Sequence, residues 1–148
     1  MMSRLMKLPD VNLLLHAVDE GSARHEPARA WVEERLSGTE TFALAWVVLL
    51  AFIRLTTSPR VFQSPLTTSA ALDLVDSWLA QPCVTVAHPT RRHASVLREL
   101  LQPLGTAGNL TTDAHLAALA IEHGAELCST DRDFSRFAGL RWSDPLGT

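Results

Sequence analysis

Asp10, Asn12, Asp113, Asp131 and Asp133 are the residues whose types and settings could do chemistry. Asp10 directly follows the apolar run KLP. Asp113 opens the apolar stretch AHLAALAI after the loop GTAGNLTT, and Asp131 follows AELCST. Carboxylates brought to one place raise one another's pKa and repel unless a cation lies between them. A ligand set made only of oxygen suits Mg2+, or Mn2+, rather than zinc. Such a cation polarises a phosphoryl oxygen and makes a nucleophile of bound water. Each residue also has a plainer reading. Asp10 with Asn12 fits an Asx turn or the N-cap of a helix beginning near Leu13. Asp113 suits a first helical turn, favoured by the macrodipole, with Thr111 or Thr112 as cap. Asp131 and Asp133 suit a solvated turn.

What separates the two readings is whether the acids meet. Short apolar runs alternate with helical patterns along the chain. The spacing predicts strands at Met6–Leu8, Phe42–Ala45, Val84–Val86, Glu126–Cys128 and Leu140–Trp142, mostly apolar rather than alternating, as in strands buried on both faces. Ala28, Trp31, Val32 and Leu36 share a helical face after Pro27, and Ala71, Leu74, Val75 and Trp78 repeat it after a Thr-Thr-Ser start. Ala94, Leu97, Leu100 and Leu101 do so again before Pro103 stops the helix. Residues 114–121 are apolar nearly all round and close at Gly124, a helix sandwiched between sheet and other helices. Strand and helix in alternation imply an α/β fold with a parallel sheet covered on both faces. In such sheets ligands bind outside the carboxyl ends of the strands. Asp10 and Asp131 then end the first and fourth strands, and the loop before Asp113 crosses the same edge.

Composition sets the outer bounds. The 148 residues fit one domain, which buries roughly two thirds of its unfolded surface. Apolar residues are 47% and charged residues 20%, the balance of a soluble globular protein. The longest apolar run, Phe42–Ile53, is well short of the roughly 20 residues of a membrane span. The opening MMSRLMKLPD is a poor secretory signal, so a cytoplasmic protein is expected. Cys83 and Cys128 sit in apolar runs and read as reduced thiols, and no His/Cys spacing suggests zinc. The net charge of −3 argues weakly against nucleic acid, although all basic residues but Lys7 are Arg, the better fork for phosphate. Arg132, Arg136 and the pair Arg91–Arg92 are candidate phosphate contacts and equally fit solvated charge. His115, beside Asp113, reads as packed or capping, and the other histidines have no Ser or Cys partner in a nucleophile motif. Trp31 and Trp78 fall on apolar helix faces and read as core.

DVN at 10–12, FIR at 52–54 with PR at 59–60, and TTDAHLAALAIEHGAELCSTDRDFSRF at 111–137 resemble the PIN domain, and more narrowly the VapC toxins of bacterial toxin–antitoxin modules. The similarity runs to the closing DPL at 144–146, and residues 112–134 are its specific part. It implies a three-layer α/β/α sandwich around a mainly parallel sheet of four to five short strands. It also implies a Mg2+-dependent endoribonuclease, homodimeric, acting on RNA and inhibited by a VapB-like antitoxin. The acids map onto Asp10, Asp113 and Asp131 as catalytic and metal-binding residues, with Asn12 and Asp133 assisting. Such domains usually carry a further Glu a few residues before the FIR position. Here an apolar residue, Ala51 or a neighbour, takes that place, and no acid occurs between Glu40 and Asp73, which leaves one metal ion or two open.

Three rivals come from other classes. A phosphoacceptor receiver domain shares the acidic edge but requires a late Lys, and the only Lys is Lys7. A haloacid-dehalogenase-like phosphatase requires Asp-x-Asp after the first strand, where this chain has Asp-Val-Asn. The third is a catalytically weak PIN-like protein that binds RNA or an antitoxin without cutting.

Overall fold

A computed structural model describes residues 6–147; of the opening segment weighed above as an export signal, residues 1–5 lie outside that range. In chain order the elements are β1 (Met6–Pro9), α1 (Val11–Val18), α2 (His25–Leu36), β2 (Phe42–Leu44), α3 (Trp46–Thr56), α4 (Thr68–Leu79), β3 (Val84–Val86), α5 (His93–Leu101), α6 (Thr111–His123), β4 (Ala125–Cys128) and β5 (Trp142–Ser143). Short 3-10 turns occupy Gln102–Leu104, Gly108–Leu110 and Arg132–Arg136.

The sheet order is β3-β2-β1-β4-β5, with every neighbouring pair parallel. The chain steps outward from β1 through β2 to β3, then returns across the sheet to β4 on the other side of β1. The strand order therefore reverses between β1 and β4, the switch point at which open α/β sheets leave a crevice. β1 and β4 are in register from Met6–Ala125 to Pro9–Cys128, so the two strands end side by side. Across their middle, Lys7 pairs with Glu126 at 2.7 Å, and Ser143 donates a hydrogen bond to the same carboxylate.

Helices α1 to α4 pack as one group and α5 with α6 as another, giving the three expected layers. The α6 stretch is apolar all round because it is buried all round, from Ala114 through Leu116–Ala120. It ends at Gly124, whose φ of 64° is the left-handed cap conformation that a β-carbon disfavours. Trp78 meets Phe52 edge-on, and Trp31 does the same with Phe42, so both serve the core as expected. Among the described residues no helix is long and apolar enough to cross a membrane. Cys128 is buried and Cys83 half-buried, and both are free thiols.

Several boundaries move. Ala45 does not end β2 but is the N-cap of α3, which runs through the rest of the apolar stretch. The fifth strand is Trp142–Ser143, not Leu140–Trp142, since pairing requires Trp142 opposite Leu127. Neither Thr111 nor Thr112 caps α6: both lie within it, and the Thr111 hydroxyl donates back to the Gly108 carbonyl. Helix α2 starts two residues before Pro27, which still lies in the first turn.

Candidate active site

The sheet register sets the site. β1 ends at Pro9 and β4 at Cys128, and the Asp10 N–H donates to the Cys128 carbonyl at 2.8 Å. Asp10 and Ser129 therefore leave the sheet together. Asp10 does cap a helix: its Oδ1 accepts from the Val11 N–H at 2.8 Å and starts α1. Its other oxygen faces inward and accepts from the Ser129 hydroxyl at 2.9 Å. The cap and the functional reading describe two oxygens of one carboxylate.

Ser129 is fully buried and organises the strand ends. Besides donating to Asp10, its hydroxyl accepts from the Asn12 side-chain amide and from the Asp131 N–H, each at 3.0 Å. Asn12 also reaches Asp10 Oδ2 at 3.4 Å, and its carbonyl accepts from the Thr130 N–H at 3.4 Å. The Trp142 indole N–H holds the Ser129 carbonyl from β5 at 3.0 Å. Sequence reasoning missed Ser129; its only signal was a hydroxyl between a buried strand and Asp131.

Asp113 comes from the first turn of α6. It lines one cleft of about 330 Å3 with Asp10, Asn12 and Asp131, and α3 supplies the facing wall through Val47, Ala51, Arg54 and Leu55. Ala51 thus stands on the wall where the resemblance placed a further carboxylate. The proximity of the acids is felt electrostatically. Burial, then repulsion from Asp10, Asp131 and Asp133, pushes the Asp113 carboxyl up to about 6 from the ordinary 3.8. Burial also raises Asp10, against the hydrogen bonds from Ser129 and Val11, and Asp131 adds to the rise.

The acids share a cleft without closing on a common point. Among the described residues no three His, Cys, Asp or Glu side chains stand close enough to hold a metal ion as oriented here. The carboxylates repel, and their oxygens are occupied: both of Asp10, and Oδ1 of Asp131, which accepts from the Asp133 N–H at 2.9 Å. The donor set itself, three carboxylates and an amide, is all-oxygen and suits a hard divalent cation.

Other candidates fall away from the cleft. Asp133 is exposed and faces Arg136 at 3.5 Å. Arg91, Arg92 and Arg132 are exposed and do not line the cleft. His115 points to His93, with ring nitrogens 2.9 Å apart, and His93 in turn meets Glu122. That network ties α5 to α6 and matches the packed reading of His115. A hollow beside α5, about 510 Å3, lined by Leu97, Arg98 and Leu101, bears no carboxylate.

The family profile of the PIN domain matches residues 7–140. Ribonuclease VapC37 of Mycobacterium tuberculosis is 48% identical over 140 residues, covering 95% of this chain and 97% of that protein. This chain belongs to the VapC ribonucleases of the PIN-domain family. Ribonuclease VapC33 of the same organism is 45% identical over 141 residues, covering 95% and 99%. In fold, the PIN chain also superposes on a chain of VapBC2 from Rickettsia felis, solved bound to a DNA fragment from its promoter. That match has a TM-score of 0.69 and 17% identity, covering 95% of this chain and 98% of that one. The PIN fold accounts for the parallel sheet and for the switch point at which the acid cleft lies.

Proposed function

We propose that the chain is a Mg2+-dependent endoribonuclease, the toxin of a toxin–antitoxin module, with RNA as substrate and a VapB-like antitoxin as cognate partner. The observation that carries the catalytic part is the shared cleft of Asp10, Asp113 and Asp131, drawn from both ends of the chain to one sheet edge. The toxin role and the antitoxin rest on the VapC relatives.

Asp10 and Asp113 would hold the cation, with Asp131 completing its surroundings. A bound Mg2+ supplies polarisation of the scissile phosphate and a lowered pKa for its water. Ser129 and Asn12 fix the Asp10 carboxylate, so its inward oxygen is aimed before any ligand arrives. Asp113, pushed up to about 6, holds a proton in part at mildly acidic pH and would release it to water when a cation binds. Asp133 assists at most from the rim, through the backbone N–H that orients Asp131. The protein acts as a cytoplasmic homodimer. Its interface draws on the exposed apolar side chains Trp46, Leu50, Val61 and Leu72, since Phe52, Phe62 and the apolar body of α6 are used up in the core.

Ala51 on the cleft wall, in place of an acid, favours a second reading: a PIN-like protein that binds RNA or an antitoxin without cleaving. Incubating purified protein with RNA, with Mg2+ or with a chelator, separates the two. Cleavage that requires Mg2+ supports the nuclease, and RNA binding with no cleavage supports the alternative.

A further inference from the structure

We propose that Arg54 is a substrate-binding residue, whose guanidinium receives the scissile phosphate at the wall of the acid cleft and balances the charge that a single divalent cation leaves there. This rests on the nuclease reading above. Helix α3 presents Val47, Ala51, Arg54 and Leu55 to the cleft, the three-to-four-residue spacing of one helical face. Arg54 is the cationic member of that lining, and α3 supplies no carboxylate to it.

The guanidinium is available. Arg29, Arg35 and Arg136 are paired with glutamates or Asp133, and Arg141 bonds the Gly124 carbonyl. Among the described residues Arg54 makes no ion pair and no side-chain hydrogen bond, although it shares a cleft with three aspartates. Its guanidinium is therefore outside ion-pair distance of all three.

Charge counting assigns the rest. Asp10, Asp113 and Asp131, once a metal has displaced any proton, bring three negative charges, and one divalent cation returns two. A phosphodiester entering that site meets a net negative charge and is repelled. Arg54 brings the cleft to neutrality, and its planar fork matches two phosphate oxygens where an ammonium meets them as a point charge. A second cation is not required.

A plainer role exists, since Arg54 lies in the last turn of α3, where positive charge suits the helix terminus. Arg54→Lys keeps that charge but loses the fork. Single-turnover cleavage of RNA in Mg2+ should fall about 100-fold in Arg54→Ala, the usual scale for losing one donor to a reacting oxyanion. Arg54→Lys should also be slowed, and added methylguanidinium should restore part of the Arg54→Ala rate. Independently of activity, Arg54→Ala should bind Mn2+ on the order of tenfold more tightly, because one charge has been removed near the dication. Wild-type cleavage in Arg54→Ala overturns the proposal, as does a slow variant whose Mn2+ affinity is unchanged and which methylguanidinium does not help. If the wild-type protein cleaves no RNA, the nuclease reading fails instead, and the Mn2+ titration still decides whether Arg54 stands in the cleft's field.

Discussion

Replacing Asp113 by Asn keeps the shape of the side chain and removes its charge. The carboxyl is raised from 3.8 to about 6, by burial first and then by Asp10, Asp131 and Asp133. A raised folded-state value in an acid means that ionisation opposes folding. The penalty is absent below about pH 4, grows as pH rises toward 6, and is complete at neutral pH. Taken at face value the difference corresponds to about 3 kcal/mol, and solvent screening of this half-exposed group reduces it to about 1 kcal/mol. The attraction of the α6 N-terminus for a negative charge acts in the opposite direction and is part of that reduction. Without metal, Asp113→Asn should therefore be the more stable protein at pH 7.5, by about 3 °C in melting temperature. That advantage should vanish near pH 4. Mg2+ should raise the melting temperature of the wild type, through binding linkage, and leave that of the variant nearly unmoved. RNA cleavage should be lost. The assay is thermal melting at several pH values with and without Mg2+, beside cleavage by the same preparations. Full cleavage by the variant, or equal stability from pH 4 to 7.5, would refute the reasoning.

Ser129→Ala deletes the hydroxyl shared by Asp10, Asn12 and Asp131, so it should cost about 1–3 kcal/mol in denaturant unfolding and slow cleavage at least tenfold; unaltered cleavage would remove Ser129 from the site. His115→Ala removes the link to His93 and should lower stability while leaving the cleavage rate at the wild-type level, as measured side by side in one assay. RNA affinity should fall steeply between 50 and 200 mM salt, about 0.7 in logarithmic slope per phosphate contact on a single strand; a flat titration would mean the arginines are not the contacts. Leu50→Glu, which places a charge on an apolar side chain 60% exposed, should shift the homodimer to monomer in sedimentation at tens of micromolar protein.

How much of this was legible follows from the kind of signal each residue left. Asp10 and Asp131 were visible because an acid directly after a buried parallel strand, or three residues beyond it, lies at the carboxyl edge. Asp113 was visible because the apolar α6 fixes where its first turn must lie. Helix α3 was hidden from periodicity, since residues 42–53 are apolar almost without a break and such a run reads equally as strand or helix. Ser129 left little trace because its role lies mainly in partners 117 and 119 residues away, which only the β1–β4 register brings near. Ala51 was named through the resemblance, whereas the place of Arg54 required the same three-dimensional step, from a helical face to the cleft it walls. The orientation of Asp133 toward Arg136 was a matter of rotamer, which spacing does not encode.

The central claim is that Asp10, Asp113 and Asp131 together hold one divalent cation at the switch point between β1 and β4. A crystal of the protein grown with Mn2+ tests it directly through anomalous scattering. The account predicts a single strong Mn2+ peak in the cleft, within coordination distance of the Asp10 and Asp113 carboxylates. An empty cleft, or a peak bound only by residues elsewhere on the surface, would contradict it.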